Sequence, residues 1–495
     1  MHSWRKFFFS LKEGVLPRKI NLDWIVLVFF AMFPADALGT GFEKDQSPEE
    51  IVANSSFEDL ITSHLVFSSE RDAETVSQAL KEKLFLRARA DNGRYTEHVS
   101  GRLNWQGKTM RFSMDKKGQP GEAGYPVYIA LHGGGQTSPA VNDSQWNHMK
   151  IYYKSSVDHG IYIAPRGVTD TWNLHFVPES YPLYDRMIEN LIAYENADPE
   201  RIYLLGFSAG GDGVYQIIPR MPDRWAAANM SAGHHNFISF QNLAQVPFLL
   251  QMGEHDSAYQ RNRVAAENFR ALQHLQQGNP GLYQHDLFLH FNGSHNSWYD
   301  NQPEGVPQII LADPVGWLDS GDRSVIRVNS NAVHWLRNYQ RNSRPNTLVW
   351  DMATFAGRPQ GQGANYVASE SIRARLASSE DLFYWLDRSP ETGGRNGFLK
   401  VQLDSKENRI VFQDLENING LRLLLTPEML DFSRQVRVKI GDEIIGDINL
   451  TSRLNVMTRT LLERSDPRFL FHDEITLLKS ESGWTLKEVT SIGAF

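Results

Sequence analysis

The sequence predicts an α/β fold, a doubly wound and mostly parallel sheet, followed by a smaller all-β C-terminal domain. Three observations carry that expectation. From Pro126 onward, short apolar runs alternate with helical stretches; the runs are residues 127–131, 161–164, 202–205, 226–230, 247–252 and 287–291. They are near-continuous rather than alternating, as in strands of a parallel sheet covered on both faces. After Arg344 the texture changes to period-two alternation, at Leu399/Val401/Leu403, Ile410/Phe412, Leu421/Leu423/Leu425, Val436/Val438/Ile440 and Trp484/Leu486, which reads as half-buried antiparallel strands.

The helices expected between the strands are residues 184–194, 209–218 and 259–276, the last with Val264, Phe269, Leu272 and Leu275 on one side. A final helix is expected over 325–339. Ahead of the sheet, Ser47-Pro48-Glu49-Glu50 is a helix start, with a cap, a proline at the first helical position and acids in the first turn. Asp72 is placed to cap a second helix whose Val76, Leu80 and Leu84 share one face, and 94–116 reads as strands turning at Trp105-Gln106-Gly107-Lys108. The organisation expected is a leader over 1–37, a helical extension over 38–94, an α/β domain over 95–343, a loop-rich connector over 344–397 and a β-rich domain over 398–495.

The leader is read from Arg5, Lys6, Lys12, Arg18 and Lys19, then the ten-residue apolar run 24–33, then Pro34 and Ala35-Asp36-Ala37. A basic segment, a short apolar core and small residues at the cut fit a secretory signal cleaved after Ala37. The product would be secreted or periplasmic. An uncleaved membrane anchor is the alternative, although the run falls short of the about 20 apolar residues that a span needs. The 495 residues carry a net charge of −8 and contain no cysteine. Zero Cys excludes disulfides, Cys-ligated metals, a thiol nucleophile and thiol lipidation. The acidic balance argues against nucleic acid as a partner.

The chemistry sits in the α/β region. Residues 201–205 form an apolar strand that runs into Gly206-Phe207-Ser208-Ala209-Gly210-Gly211 and then a helix. A Gly-x-Ser-x-Gly element between a strand and a helix is a nucleophile elbow, with Ser208 exposed on a strained turn. Leu131-His132-Gly133-Gly134-Gly135 also follows a strand. Glycines let the backbone N–H groups of this loop, with that of Ala209, reach a developing oxyanion. An acid and then a base should follow in chain order. Gly253-Glu254-His255-Asp256 ends one strand, offering Asp256 first and Glu254 as the alternative; Asn292-Gly293-Ser294-His295 ends the last, offering His295 ahead of His285 and His290. No cofactor is required by this constellation. The 16 histidines include no His-Glu-x-x-His spacing, so no metal site is assigned.

Residues 95–343 resemble the α/β-hydrolase superfamily, through GFSAG, LHGGG, GEHD and GSHNSW in that order. Within it they look like secreted esterases of the polyhydroxybutyrate-depolymerase and feruloyl-esterase type, kin to dienelactone-hydrolase and prolyl-oligopeptidase catalytic domains. The resemblance implies Ser208, Asp256 and His295 as a catalytic triad, with Gly133, Gly134 and Ala209 as the oxyanion hole. It leaves the C-terminal β domain unidentified. Position at the carboxyl ends of strands adds His132, Trp146, Trp172, Asn173 and His234 as pocket residues, the two indoles being suited to stacking on an aromatic or sugar ring. The leading expectation is a serine hydrolase acting on a small-molecule or polymer ester. The alternatives are a serine peptidase of the same fold and a glycan-binding protein with an inactive hydrolase domain. The sequence gives no oligomeric state.

Overall fold

The computed structural model describes residues 46–236, 238–298, 306–329, 331–353, 381–390 and 396–488. The expected leader lies outside them. Among the described residues no helix is long and apolar enough to cross a membrane. The chain divides into two compact units, one of Met1–Val99 with Thr451–Asp473 and one of Ser100–Leu450 with Glu474–Phe495.

The first unit is helical. α1 (Pro48–Asn54) starts where its sequence says it should, with Ser47 and Glu50 closing a reciprocal capping box. α2 (Phe57–Ile61) repeats the device with Ser56 and Asp59. The strand β1 (Val66–Phe67) pairs with Ser452–Arg453. α3 (Glu70–Ala90) buries Val76, Leu80 and Leu84, as its spacing predicts, but its cap is Ser69 rather than Asp72. α4 (Asn92–Val99) replaces the expected strand at its start. Asp91 accounts for this: its carboxylate accepts the Arg94 N–H at 2.9 Å and so nucleates a helical turn. The helix Leu454–Arg464, which the β reading of the C-terminal region does not name, closes this unit's core; Leu454, Met457 and Leu461 pack with Val52, Leu60, Val76 and Leu80.

The second unit is built on a ten-stranded sheet. Its strands are β2 (Arg102–Trp105), β3 (Lys108–Lys117), β4 (Tyr125–Leu131), β5 (Gly160–Pro165), β6 (Ala197–Phe207), β7 (Ala227–Ser231), β8 (Phe248–Gly253), β9 (His285–His290), β10 (Gln308–Leu311) and β11 (Val325–Val328). Their spatial order is β11-β10-β9-β8-β7-β6-β4-β5-β3-β2. The six from β5 to β9 are mutually parallel, and an antiparallel pair closes each edge. β4, β5, β7 and β8 are buried at every position, which explains their unbroken apolar runs. The order reverses at β4. The chain leaves β4 for β5 on one side and returns as β6 on the other, opening a crevice at the carboxyl ends of β4 and β6.

Five helices accompany the strands: α5 (Pro139–Tyr152), α6 (Ser180–Glu195), α7 (Ala209–Ile217), α8 (Arg261–Gly278) and α9 (Pro314–Ser320). The expected helix over 325–339 is instead β11 and the short α10 (Ala332–Leu336). Val325-Ile326-Arg327-Val328 is rich in β-branched residues, and Asn331 caps α10 by accepting the His334 N–H at 3.0 Å.

The β region forms two five-stranded sheets. One orders Thr347–Asp351, Phe398–Asp404, Arg409–Glu416, Val436–Ile440 and Glu443–Ile448. The other orders Leu382–Phe383, Leu386–Asp387, Gly420–Leu425, Asp473–Ser480 and Gly483–Glu488. The expected connector over 344–397 therefore contributes strands to both sheets. Trp350 of the first sheet stacks on Phe383 of the second, ring centroids 4.8 Å apart.

Buried polar bonds join these sheets to the α/β part. The Asn242 side chain accepts the Asp351 N–H at 2.6 Å and donates to Asp351 O at 3.0 Å and Pro219 O at 2.8 Å. Ser239 donates to the Asp351 carboxylate at 2.9 Å. Asn242→Ala would remove a side-chain partner from three buried backbone groups, at about 1–3 kcal/mol each before relaxation. The expected outcome is a loss of about 3 kcal/mol or more of stability, read as a lower urea midpoint with an unchanged slope.

Candidate active site

Ser208 sits between β6 and α7 at φ 56° and ψ −121°, a conformation that few side-chain-bearing residues adopt. Crowding enforces it. A Cβ on Gly206 would lie 2.2 Å from Gly210 O, and one on Gly210 would lie 2.1 Å from Leu131 O. Only glycines let the first turn of α7 rest on the ends of β4 and β6. The Ser208 N–H donates to Ser231 O at 2.9 Å, which ties the turn to β7. Ala209 opens α7, so its N–H has no partner within the helix and adds to the positive end of the helix dipole.

His295 Nε2 lies 3.1 Å from Ser208 Oγ, and its Nδ1 lies 2.7 Å from Asp256 Oδ2. With Asp256 ionised, Nδ1–H donates to the carboxylate, and Nε2 is left to accept the Ser208 hydroxyl proton. Phe207 packs on the imidazole at 5.4 Å between ring centroids. Asp256 is buried, and Arg261 Nη1 lies 3.6 Å from its Oδ1.

The loops carrying acid and base touch backbone to backbone. A Cβ on Gly253 would fall 2.6 Å from both Gly293 O and Ser294 O, and the His255 N–H donates to Gly293 O at 2.6 Å. Glu254, the alternative acid, braces this junction. Its carboxylate accepts Arg323 Nε at 2.5 Å, Arg323 Nη2 at 2.8 Å and the Asn292 N–H at 2.9 Å. The Arg323 hydrogen bonds hold its carboxyl below the ordinary value. Between the two carboxylates the sequence left open, the structure puts Asp256 on His295 and Glu254 on Arg323.

The two histidines offered as alternative bases, and His132, are occupied. His290 sits in β9 with Nε2 2.8 Å from Gln251 Oε1, stacks on Trp298 and is pushed by burial down to about 3. His285 Nδ1 lies 2.7 Å from Tyr283 O. His132 is fully buried. Its Nε2 accepts the Gly167 N–H at 3.0 Å, so Nδ1 carries the proton toward Gly133 O at 2.6 Å, and burial lowers its pKa to about 4. It is a strut between the loops after β4 and β5, not a pocket wall.

The glycine loop adjoins the serine: a Cβ on Gly133 would lie 3.3 Å from Ser208 Cβ. Gly134 and Gly135 take φ of 103° and 81°. Trp172 O would lie 3.2 Å from a Cβ on Gly135, so the segment after β5 borders this loop. Trp172 is half-buried and packs edge-on against Phe176. Asn173 is buried and accepts from the Thr171 hydroxyl at 2.8 Å. Trp146 donates its indole N–H to Ala164 O at 2.8 Å, and its ring carries Lys150 and Arg111 at 3.6 and 4.8 Å. That indole is engaged by cations of its own chain.

His234 lies beside a carboxylate that the sequence reading misses. Asp212, four residues after Ser208 on α7, accepts the His234 N–H at 2.7 Å and Asn236 Nδ2 at 3.0 Å. Burial pushes its pKa up to about 6, against those two hydrogen bonds. An acid in the first turn of a glycine-rich helix was the available signal. Among the described residues no group of three or more His, Asp or Glu is arranged to hold a metal.

No protein-family model matches the chain, and neither does any curated protein. Solved structures match part of it. A thermostable esterase is 18% identical over 49% of this chain, with a TM-score of 0.32, and the match spans 64% of that protein's length. LpqC, a poly(3-hydroxybutyrate) depolymerase from Bordetella parapertussis, is 18% identical over 42% of this chain and 89% of its own, with a TM-score of 0.33. A ferulic acid esterase is 14% identical over 40% and 90%, with a TM-score of 0.28. The strand order above defines the fold class independently of these likenesses.

Asp212 yields a pH test. Its folded pKa of about 6 lies above the ordinary value of 3.8. The folded state therefore holds the extra proton between those values, and stability falls as pH rises through that window. Asp212→Asn should flatten the decline, on the order of 3 kcal/mol between pH 4 and 7, in urea titrations at stepped pH. An undiminished slope would assign the effect to another group.

Proposed function

We propose that the protein is an exported serine hydrolase that cleaves carboxylic esters. The observation that carries this reading is the continuous hydrogen-bond chain Asp256–His295–Ser208. Its members come from the carboxyl ends of β8, β9 and β6, beside the crevice where the sheet order reverses.

In this reading Ser208 Oγ attacks the ester carbonyl carbon while His295 Nε2 takes its proton. Asp256 holds the imidazole in the required tautomer and stabilises the imidazolium. The carbonyl oxygen becomes an oxyanion and is received by the N–H groups of Gly133, Gly134 and Ala209, aided by the α7 dipole. Collapse of the tetrahedral intermediate breaks the carbonyl carbon–alkoxy oxygen bond. The leaving alcohol takes the proton back from His295. Water, deprotonated by His295, then attacks the acyl-enzyme; the acid departs and Ser208 regains its proton. No cofactor enters the cycle. The substrate is a small-molecule or polymer ester. Trp172, after β5, and the loop carrying His234, after β7, are candidates to select it.

Export is read from residues 1–37, whose basic segment, apolar core and Ala35-Asp36-Ala37 fit a cleaved secretory signal. The intact mass of protein recovered from outside the cytoplasm should correspond to a chain beginning at Leu38; an unprocessed amino terminus would point to an anchor instead.

Turnover of p-nitrophenyl acetate should fall by about 10³-fold or more in Ser208→Ala, and fluorophosphonate labelling should vanish in both Ser208→Ala and His295→Ala. Wild-type turnover by Ser208→Ala would remove the nucleophile assignment. Glu254→Gln should lose stability while retaining labelling, because its carboxylate braces Arg323 and Asn292 rather than His295. Competition between ester and peptide libraries distinguishes esterase from peptidase.

A further inference from the structure

We propose that Asn142 is a positioning residue for the oxyanion loop, set in place by a charge network of Asp170, Arg166, Asp143 and Arg111. The proposal rests on the reading of Gly133 and Gly134 as oxyanion donors.

Asn142 lies in the first turn of α5, fully buried against the glycine loop. Its Oδ1 accepts the Gly135 N–H at 2.9 Å and fills the space a Cβ on Gly134 would need, at 2.3 Å. Its Nδ2 donates to Asp170 Oδ1 at 2.7 Å. A backbone donor on one side and a carboxylate on the other fix the amide's orientation. Asp170 is held in turn by Arg166, whose Nε donates to Asp143 at 2.8 Å and whose Nη1 donates to Gly167 O and Thr169 O at 2.9 and 3.0 Å. Arg111 Nη2 completes the row on Asp143 at 2.7 Å. Burial alone would raise the Asp170 carboxyl. Hydrogen bonds from Arg166 and Asn142 outweigh that and hold it below its ordinary value, so it accepts as an anion at neutral pH.

The consequence is mechanical. Glycines at φ 103° and 81° have many accessible conformations, and an oxyanion hole needs one. Asn142 selects it by occupying the Gly135 N–H, which leaves the N–H groups of Gly133 and Gly134 for the substrate. Asn142 touches no reacting atom. It acts through the loop.

Three variants test this, with kcat and KM read on p-nitrophenyl acetate and thermal unfolding read beside them. Asn142→Leu keeps the number of side-chain heavy atoms and removes the hydrogen bonds to Gly135, Asp170 and Thr137; kcat should fall about 100-fold with KM within about two-fold. Affinity for phenylboronic acid, whose Ser208 adduct is tetrahedral, should fall with kcat. Asn142→Asp keeps the acceptor for Gly135 but sets a carboxylate against Asp170; kcat should fall about ten-fold. Asp170→Asn in the Asn142→Asp background removes the clash of carboxylates and restores the charge balance, but an amide nitrogen turned to residue 142 no longer accepts from Arg166, so only part of the lost kcat should return. An Asn142→Leu enzyme with wild-type kcat overturns the proposal. So does an Asn142→Asp enzyme with wild-type kcat and wild-type melting temperature; this isosteric variant decides the matter if the Leu variant does not fold. Inactive Ser208→Ala beside fully active Asn142 variants would remove this inference alone, whereas active Ser208→Ala would remove the functional reading beneath it.

Discussion

Backbone crowding where β4, β6 and α7 meet is the constraint on which the rest of the site depends. Gly206 and Gly210 stand where any Cβ would come within 2.2 Å of a carbonyl group. That approach drives α7 onto the sheet ends and forces Ser208 to a φ of 56°. Strain of this kind costs on the order of 1–3 kcal/mol and persists only where the surroundings over-determine it. Here the surroundings are covalent and hydrogen-bonded at once, with β6 before the serine, α7 after it and Ser231 O on its N–H. The serine hydroxyl is thereby lifted out of the sheet toward the crevice, with a helix N-terminus beneath it.

The same economy governs the electrostatics. Burial keeps four histidines around this centre neutral: His132 near 4, His235 and His290 near 3, and His175 well below its ordinary value. Their rings serve as packing and as neutral hydrogen-bond partners. His295 differs because it is partly exposed and bridges a buried carboxylate and a hydroxyl.

Legibility in the sequence tracked the range of the interaction. The six parallel strands were readable because four are buried along their whole length and the other two, β6 and β9, over a run of consecutive residues. The elbow and the glycine loop were readable because turn chemistry is local. The α4 start and the β11 strand were misread over four to six residues, where Asp91 and Asn331 caps outweighed a weak periodicity. The helix Leu454–Arg464 carried a visible Leu454/Met457/Leu461 face, lost against the surrounding alternation. The sequence ranks Asp256 ahead of Glu254 but gives no sign of what Glu254 does instead. Its partner Arg323 lies 69 residues beyond it, and only the fold brings them together. The Asn142–Asp170 bond spans 28 residues and was equally silent.

The β region has a consequence for the crevice that its sequence does not announce. The segment leaving β7 is held at its start by Asp212, through the His234 N–H and the Asn236 amide. A few residues on, Ser239 and Asn242 of the same segment are held by Asp351, in the first strand of the β sheets. The two holds are hydrogen bonds to buried carboxylates or buried backbone. The strand Thr347–Asp351 and the helix that begins at Ser208 are thus each tied to the segment that leaves β7, so in this architecture the β sheets are joined to the α/β part by buried polar bonds rather than by a linker alone.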